Sequence, residues 1–183
     1  MKGVILVKLG EFVESVFDDA LWDEMLTEAN LPSQGAYTTV SNYDDNEFFQ
    51  LIDLIKTKKG LPNADIQRAY GEWLFEHLLT LAPEHALIIK DTFSFLHKAQ
   101  NLIHVEVKKL HPEAIIPNFT FIHQSEQALT MRYQSHRGLC FLCEGIISGL
   151  AIKTKEQLSI SQSQCVHKGD TECIIEVLKH DDK

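Results

Sequence analysis

The sequence predicts a mixed α+β fold, in which a helical amino-terminal subdomain is joined to a carboxy-terminal subdomain of helices and a four-stranded antiparallel sheet. Apolar residues recur three and four positions apart as far as Leu110, which is the period of an amphipathic helix. Beyond that point four short runs have strand-like spacing, and turn residues separate them. At 183 residues the chain has the length of a single domain.

The amino-terminal subdomain, residues 1–62, is predicted to contain three helices. The first carries apolar residues at helical spacing from Val4 to Phe17. A loop with Pro32 and Gly35 separates the second helix from the third. In chain order the segments are a helix over 4–17, a helix over 20–29, the loop at 31–35, and a helix that begins after Asp44 or Asp45 and ends at Gly60.

The carboxy-terminal subdomain, residues 63–183, begins with a helix that Asn63 can cap and Pro83 ends. A long helix then precedes Pro112, and one further helix lies between the second and third strands. In chain order the remaining segments are a helix over 91–110, strands at 119–121 and 128–132, a helix over 138–153, and strands at 158–165 and 173–178. No linker is long enough to indicate two independent domains.

The composition excludes several classes of function. Lys and Arg number 17 against 26 Asp and Glu, and the resulting net charge of −9 argues against binding to nucleic acid or to an anionic membrane. No apolar run approaches the roughly 20 residues that cross a bilayer. The apolar stretch at the start is too short for a secretory signal. We therefore expect a cytoplasmic protein, whose four Cys stay reduced.

Three polar side chains follow the second predicted strand, in the segment Tyr133-Gln134-Ser135-His136-Arg137. If this segment continues the strand, Tyr133, Ser135 and Arg137 project to one face, about 6.6 Å apart along the chain. A guanidinium beside two hydroxyls suits an anion with more than one carboxylate or phosphate. The alternative is that the three residues form the polar solvent face of an edge strand.

His104 lies in the middle of the long predicted helix, among apolar neighbours. A histidine in such a place is usually a packed residue with a satisfied ring nitrogen, and less often a metal ligand. Together with the polar strand it is more informative, because a helical histidine can be an axial ligand while Arg and hydroxyls bind carboxylates of the same cofactor. Heme has this polarity, with an apolar disc, a central iron and two propionates at one edge.

With these residues the chain resembles the heme-nitric oxide/oxygen binding (H-NOX) domains, which are sensor modules related to the heme domain of soluble guanylate cyclase. The resemblance covers essentially the whole length, and its most specific part is the Tyr133-x-Ser135-x-Arg137 triplet, about thirty residues after the helical histidine. The other matching segments are Met1-Lys2-Gly3-Val4-Ile5, Arg68-Ala69-Tyr70-Gly71 and Ile103-His104-Val105-Glu106-Val107.

The resemblance implies a heme b group between the two subdomains, with His104 as the proximal iron ligand. It assigns the propionates to three hydrogen-bonding side chains, Tyr133, Ser135 and Arg137. Pro117 matches the family's proline, which packs against the porphyrin and helps to distort it. Ile5 would press on the ring from the amino-terminal subdomain.

The distal side decides which gas is bound. Family members that hold oxygen carry a tyrosine five residues after the motif arginine, and here that position is Leu142. Two positions that support such a tyrosine fall on Leu9 and Leu74. Because bound oxygen gains from a hydrogen-bond donor and NO does not need one, we expect NO, and also CO, as ligands and oxygen to be excluded. The alternative, that these leucines are simply core residues, is compatible with the same conclusion.

The four cysteines form two pairs in the sequence. Cys140 and Cys143 share one face at the start of a helix, and Cys165 and Cys173 bracket the last hairpin. Two thiols from each element predict a tetrahedral zinc site, in which His167 could replace one cysteine. The alternatives are inert buried thiols or a disulfide.

The sequence is compatible with three functions. The first is a gas sensor without catalytic activity, which regulates a separate histidine kinase or cyclic-di-GMP enzyme in trans, since the chain ends at Lys183 without an output domain. The second is a redox sensor that uses the four cysteines and zinc. The third is an enzyme, which is disfavoured because the sequence has no phosphate-binding glycine loop and no nucleophile beside a recognisable base.

Overall fold

The computed structural model describes residues 1–180 and confirms the mixed fold, with helices and one four-stranded antiparallel sheet. The last three residues of the predicted domain, 181–183, lie outside the described residues. The chain forms two compact units, Met1–Tyr70 and a second unit that begins at Gly71. Within the described residues, no helix has the length and apolar character that crossing a membrane requires.

The first unit is helical and is packed around Tyr70. The Tyr70 hydroxyl donates a hydrogen bond of 2.6 Å to the carbonyl oxygen of Ile5. Its ring lies 5.3 Å from that of Phe12 and 6.2 Å from that of Phe48. The unit comprises helices α1 (Gly3–Val16), α2 (Asp19–Glu28) and α3 (Asp45–Lys59) and the first part of helix α4 (Asn63–Leu81).

Side-chain caps explain where two of these helices begin. The Asp18 carboxylate accepts from Leu21 N at 2.7 Å, and Asp44 accepts from Asn46 N at 2.9 Å. Gly60 ends α3 in the left-handed conformation, as the sequence indicates. Asn63 is the first residue of α4 rather than its cap, because the carbonyl of Pro62 already accepts the first hydrogen bonds of the helix.

The second unit contains the rest of α4 and a helical region that differs from the predicted single helix over 91–110. The helical hydrogen-bond pattern changes at Ala99, where a π-helical turn of five residues separates two short α-helices. The elements are α5 (Pro83–Ala86), α6 (Thr92–Lys98), the π-helical turn (Ala99–Ile103), α7 (His104–Leu110) and, after the second strand, α8 (Cys140–Thr154).

The sheet has the strand order β1-β2-β4-β3, and all neighbouring strands are antiparallel. One face of the two central strands is buried, and it packs into a core together with residues of α4, α6 and α8. The strands are β1 (Asn118–Gln124), β2 (Ala128–Gln134), β3 (Gln157–Gln164) and β4 (Cys173–His180). Strands β1 and β3 are the two edges of the sheet.

Glycines allow α4 and α8 to approach closely within the second unit. A Cβ at Gly71 would lie 2.3 Å from the carbonyl oxygen of Leu142, and one at Gly149 would lie 2.6 Å from the carbonyl oxygen of Glu72. Backbone contact between the two helices is therefore possible only without side chains at these positions. This close crossing fixes the position of Leu142, on α8, relative to α4.

Candidate functional site

His104 is the first residue of α7, and its backbone N–H makes the hydrogen bond that closes the preceding π-helical turn. The His104 N–H donates to the carbonyl oxygen of Ala99, five residues earlier. The imidazole Nδ1 is buried and has no hydrogen-bond partner among the described residues. Burial lowers the pKa of His104, so the neutral imidazole, the form that binds metals, is favoured.

Aromatic rings connect His104 to the second strand. The ring of Phe119 on β1 lies 5.5 Å from that of His104 and 5.9 Å from that of Tyr133, which is its partner in the β1–β2 register. A cavity of about 300 Å³ adjoins His104, and its other lining residues are Gln100, Val105, Lys108, Lys109 and Ile116. The structure thus places an imidazole, two aromatic rings and a cavity in one region of the second unit.

The prediction that Tyr133, Ser135 and Arg137 share one strand face is wrong. Strand β2 ends at Gln134, and a turn follows in which Gly138 N donates to the carbonyl oxygen of Ser135 at 3.2 Å. Gly138, at the end of this turn, has a φ of +61°, which is the left-handed conformation. Tyr133 lies on the inner face of β2, whereas Ser135 and Arg137 leave the sheet.

The turn nevertheless keeps the three polar groups connected. The backbone N–H of Arg137 donates to Ser135 Oγ at 3.3 Å. The Arg137 guanidinium donates to the carbonyl oxygen of Ile115 at 2.6 Å, two residues before Pro117. Burial raises the pKa of the Tyr133 hydroxyl, which therefore stays protonated and able to donate a hydrogen bond. The region offers hydroxyl and guanidinium donors close to Pro117.

The predicted distal leucines are all in the core. Leu74 on α4 and Leu142 on α8 belong to the second unit and are 0% and 7% exposed. Leu9 is fully buried in the first unit, which also holds Ile5. None of the three leucine side chains carries a hydrogen-bond donor.

Three of the four cysteines meet at one place. The Sγ atoms of Cys140, Cys165 and Cys173 all lie within 4.8 Å of one another, and those of Cys140 and Cys165 are 3.8 Å apart. Cys143 is buried but does not belong to this group. His167 is not part of it either, because its Nε2 donates to the carbonyl oxygen of Gly138 at 2.6 Å.

The environment of the three thiols is buried and partly hydrogen-bonded. Val166 N donates to Cys173 Sγ at 3.4 Å, and Cys165 N donates to Asp170 at 2.7 Å, so the hairpin turn holds both cysteines in place. Burial raises the pKa of Cys140, and the thiols of Cys173 and Cys165 raise it further. Burial also raises the pKa of Cys173, although the hydrogen bond from Val166 N opposes this shift. Bringing negative charges together here requires a compensating cation.

Phe119 and Gln100 are parts of the site that their sequence pattern does not indicate. Phe119 alternates with Phe121, and that pattern indicates only a strand. Gln100 is four residues before His104, which is the spacing of helical neighbours, but a lone glutamine there gives no chemical signal. The hydrogen bond from Arg137 to the Ile115 carbonyl oxygen could not be predicted, because the residue type does not indicate which backbone atoms bind a side chain.

Comparisons with known proteins agree with one another. The family model described as Haem-NO-binding matches residues 2–162. The Fe(II) unliganded H-NOX protein from K. algicida has a TM-score of 0.91 and 27% identity, covering 100% of this chain and 98% of that chain. The H-NOX protein from S. oneidensis in the Fe(II)NO state has a TM-score of 0.91 and 26% identity, covering 99% and 100%.

A further similar structure is the IWP-051-bound H-NOX from Shewanella woodyi in the Fe(II)CO state, with 33% identity, a TM-score of 0.84 and coverage of 98% of this chain and 95% of that one. A comparison with curated protein sequences gave no significant match.

Proposed function

Because the chain belongs to the Haem-NO-binding (H-NOX) family, we propose that it senses NO at a ferrous heme b, excludes oxygen and regulates a separate signalling protein. Domains of this family are heme-based gas sensors and are not themselves enzymes. Our proposal covers the selectivity for NO, the residues that determine this selectivity and the kind of partner protein.

The residues of the second unit fit a heme. A buried imidazole nitrogen without a partner is costly, and ligation of the ring to a group from outside the protein explains why His104 is buried in this form. The orphaned Nδ1 of His104, beside Phe119 and the cavity, is the observation that carries the proposal. When bound, the heme supplies a ferrous iron with an open position for a diatomic gas.

The other predicted residues would bind and orient the group. Tyr133, Ser135 and Arg137 would hydrogen-bond the propionates, since hydroxyl and guanidinium donors are the groups that recognise carboxylates. As the family resemblance implies, Pro117 and Ile5 would pack against the porphyrin. Arg137 also donates to Ile115, which places its charge at the approach to Pro117.

Selectivity for NO rests on the leucines. Oxygen needs a hydrogen-bond donor beside it, and Leu9, Leu74 and Leu142 supply none. Structures of relatives support NO and CO as ligands, because the S. oneidensis protein is known in the Fe(II)NO and Fe(II)CO states and the S. woodyi protein in the Fe(II)CO state.

Helix α7, which begins with His104, transmits the signal to the partner. A change in the position of His104 moves α7 and the π-helical turn, and a partner reads the altered surface. A histidine kinase or a cyclic-di-GMP enzyme in trans is the proposed partner. The four free thiols support a reducing, cytoplasmic location.

The test is substitution of the proposed ligand. His104→Ala should give a folded protein that lacks the Soret band or recovers it only when imidazole is added to replace the ring. His97→Ala is the matched control, because His97 is on the neighbouring helix α6 and bonds Gln124 instead. A normal five-coordinate ferrous spectrum of His104→Ala without imidazole would sink the assignment.

The thiol group supports a second candidate function, a zinc-dependent redox sensor. Cys140, Cys165 and Cys173 provide three ligands at a spacing that one zinc ion can bridge, and the fourth ligand would be an exogenous group unless the Cys143 side chain moves toward them. Oxidation of two of the thiols to a disulfide by a peroxide, which is reduced to water and an alcohol or to water alone, would release the zinc ion unchanged and loosen the hairpin from α8.

Metal analysis of protein purified under reducing conditions tests this candidate. We expect about one zinc per chain, lost in Cys165→Ser but retained in Cys143→Ser if the fourth ligand is exogenous. Wild-type protein without zinc and with four freely titrating thiols would leave the redox candidate without support.

A further inference from the structure

The π-helical turn before His104 is not dictated by its own sequence. Its residues are Ala99, Gln100, Asn101, Leu102 and Ile103, which include no proline and no glycine. Alanine, glutamine and leucine are strong α-helix formers. An α-helix is therefore the state expected from local preference, and contacts with other elements must maintain the π-helical winding.

The winding of this turn sets the direction of the histidine side chain. The His104 N–H now donates to the Ala99 carbonyl, whereas in an α-helix it would donate to that of Gln100. Conversion to α-helix would rewind the whole turn, including Gln100, and would rotate the segments before and after it relative to each other by roughly a quarter turn about the helix axis. The ring of His104 would then leave its place beside Phe119.

The Gln100 side chain supplies the contact that opposes this conversion. Its Oε1 accepts from the backbone N–H of Phe119 at 3.0 Å, and its Nε2 donates to Asn118 Oδ1 at 2.9 Å. Strand β1 is an edge, so the Phe119 N–H has no strand partner on that side and the glutamine satisfies it. The residue that receives Gln100 is also the residue whose ring packs on His104.

We infer that Gln100 is a positioning residue, which locks the π-helical turn to the edge of β1 and so fixes the orientation of His104. The inference rests on the proposed function of His104. It also gives strand β1 a role. Any change in the winding of the turn must break or stretch the hydrogen bonds from the Gln100 side chain to Phe119 and Asn118, so rotation of the helix affects β1 directly.

Two substitutions separate the amide chemistry from simple packing. Gln100→Met keeps the length and volume of the side chain but removes the acceptor, whereas Gln100→Glu keeps an acceptor for the Phe119 N–H. Gln124→Met is the matched control, because Gln124 also joins a helix to β1, through His97 at 2.6 Å, but not at the π-helical turn.

Two measurements are made on each heme-loaded variant: amide hydrogen exchange at Phe119, and the iron–histidine stretching band in the resonance Raman spectrum of the ferrous form. In Gln100→Met we expect exchange at Phe119 to accelerate roughly fivefold or more, the factor for loss of one hydrogen bond, and the band to shift. Gln124→Met should resemble the wild type in both measurements. Gln100→Glu loses the bond to Asn118 but keeps the acceptor for the Phe119 N–H, so its exchange rate should stay near that of the wild type and its band should shift less than that of Gln100→Met.

An unchanged band in Gln100→Met overturns the inference, whatever the exchange rate, and so does an equal shift in Gln124→Met. These outcomes differ from failure of the proposed function, which would appear as wild-type protein without a Soret band. If Gln100→Met does not fold, a band shift in Gln100→Glu as large as that of a non-conservative change at Phe119 also overturns it.

Discussion

At Arg137 the chain leaves the sheet, and the guanidinium reaches back to the carbonyl oxygen of Ile115. Arg132, five residues earlier, is a natural comparison, because it lies on the outer face of β2 and pairs with Glu172 at 2.6 Å. The two arginines carry the same charge, but only Arg132 belongs to strand β2.

We predict that Arg137→Ala lowers heme occupancy far more than Arg132→Ala. A charge-assisted hydrogen bond contributes about 1.5–3 kcal/mol, so heme affinity should fall roughly tenfold or more. The ratio of Soret to protein absorbance, measured against added heme, gives the affinities. Equal losses in the two variants would mean that Arg137 does not bind the propionates.

Individual residues were predicted unevenly from the sequence. The spacing of apolar residues correctly predicts that His104 lies on a helix and Tyr133 on a strand, because this spacing is a local property of the sequence. The path from Ser135 to Arg137 does not follow from such spacing, because the strand ends at Gln134 and a turn follows, whereas the alternation of polar residues continues across that turn. The thiol group shows the same limit, since only the folded hairpin decides which cysteines approach Cys140.

Among the elements, the crossing of α4 and α8 leads to a test of packing. At Gly149 the helix itself would gain about 1 kcal/mol from alanine. The added Cβ, however, would lie 2.6 Å from the Glu72 carbonyl oxygen and 2.8 Å from Phe75 Cβ. Overpacking of this kind costs typically about 1–3 kcal/mol.

Gly149→Ala should therefore lower the free energy of unfolding, by up to about 2 kcal/mol, in urea denaturation followed by circular dichroism. Ile152→Ala is the control in the same helix, since Ile152 is 65% exposed and its truncation should change stability by less than about 0.5 kcal/mol. A Gly149→Ala protein as stable as the wild type would show that the helices can separate at little cost.

Helix extents were predicted better than helix type. The helical region before Pro112 lies where its apolar spacing indicates, but the π-helical turn within it is maintained by bonds from Gln100 to a strand some twenty residues further along. Hydrogen-bond register inside a helix leaves no signature in residue type when the residues are ordinary α-helix formers.

For the whole molecule, the predicted property is discrimination between two gases. Ferrous protein in air should form no stable oxygenated spectrum, whereas NO should shift the Soret band at once, because no hydroxyl lies at Leu142, Leu9 or Leu74. Leu142→Tyr alone should not create oxygen binding, since the other two leucines offer the new hydroxyl no support.

Absorption spectroscopy of the anaerobically reduced protein, first opened to air and then exposed to NO, checks this prediction. A stable oxygenated spectrum of the unmodified protein would move the function toward oxygen sensing.

The architecture as a whole could be predicted from the sequence, because the change from helical to alternating spacing near residue 118 marks the onset of the sheet. The division of the chain was expected near residues 62 and 63, and the compact units meet between Tyr70 and Gly71, inside α4. A continuous helix crosses the division, so no break in composition or spacing marks it. The partner is not encoded in any local pattern either.

Helix α8 carries Leu142 and Cys140 within one turn of each other. If a gas ligand and a thiol-bound ion both bias the position of this helix, their binding free energies are coupled, and thermodynamic reciprocity makes the coupling equal in both directions. The protein would then bind NO with an affinity set by the metal and redox state of the cell, and would hold its metal with an affinity set by NO. Through helix α8, the protein would then respond to NO and to the metal bound by its thiols as two coupled signals.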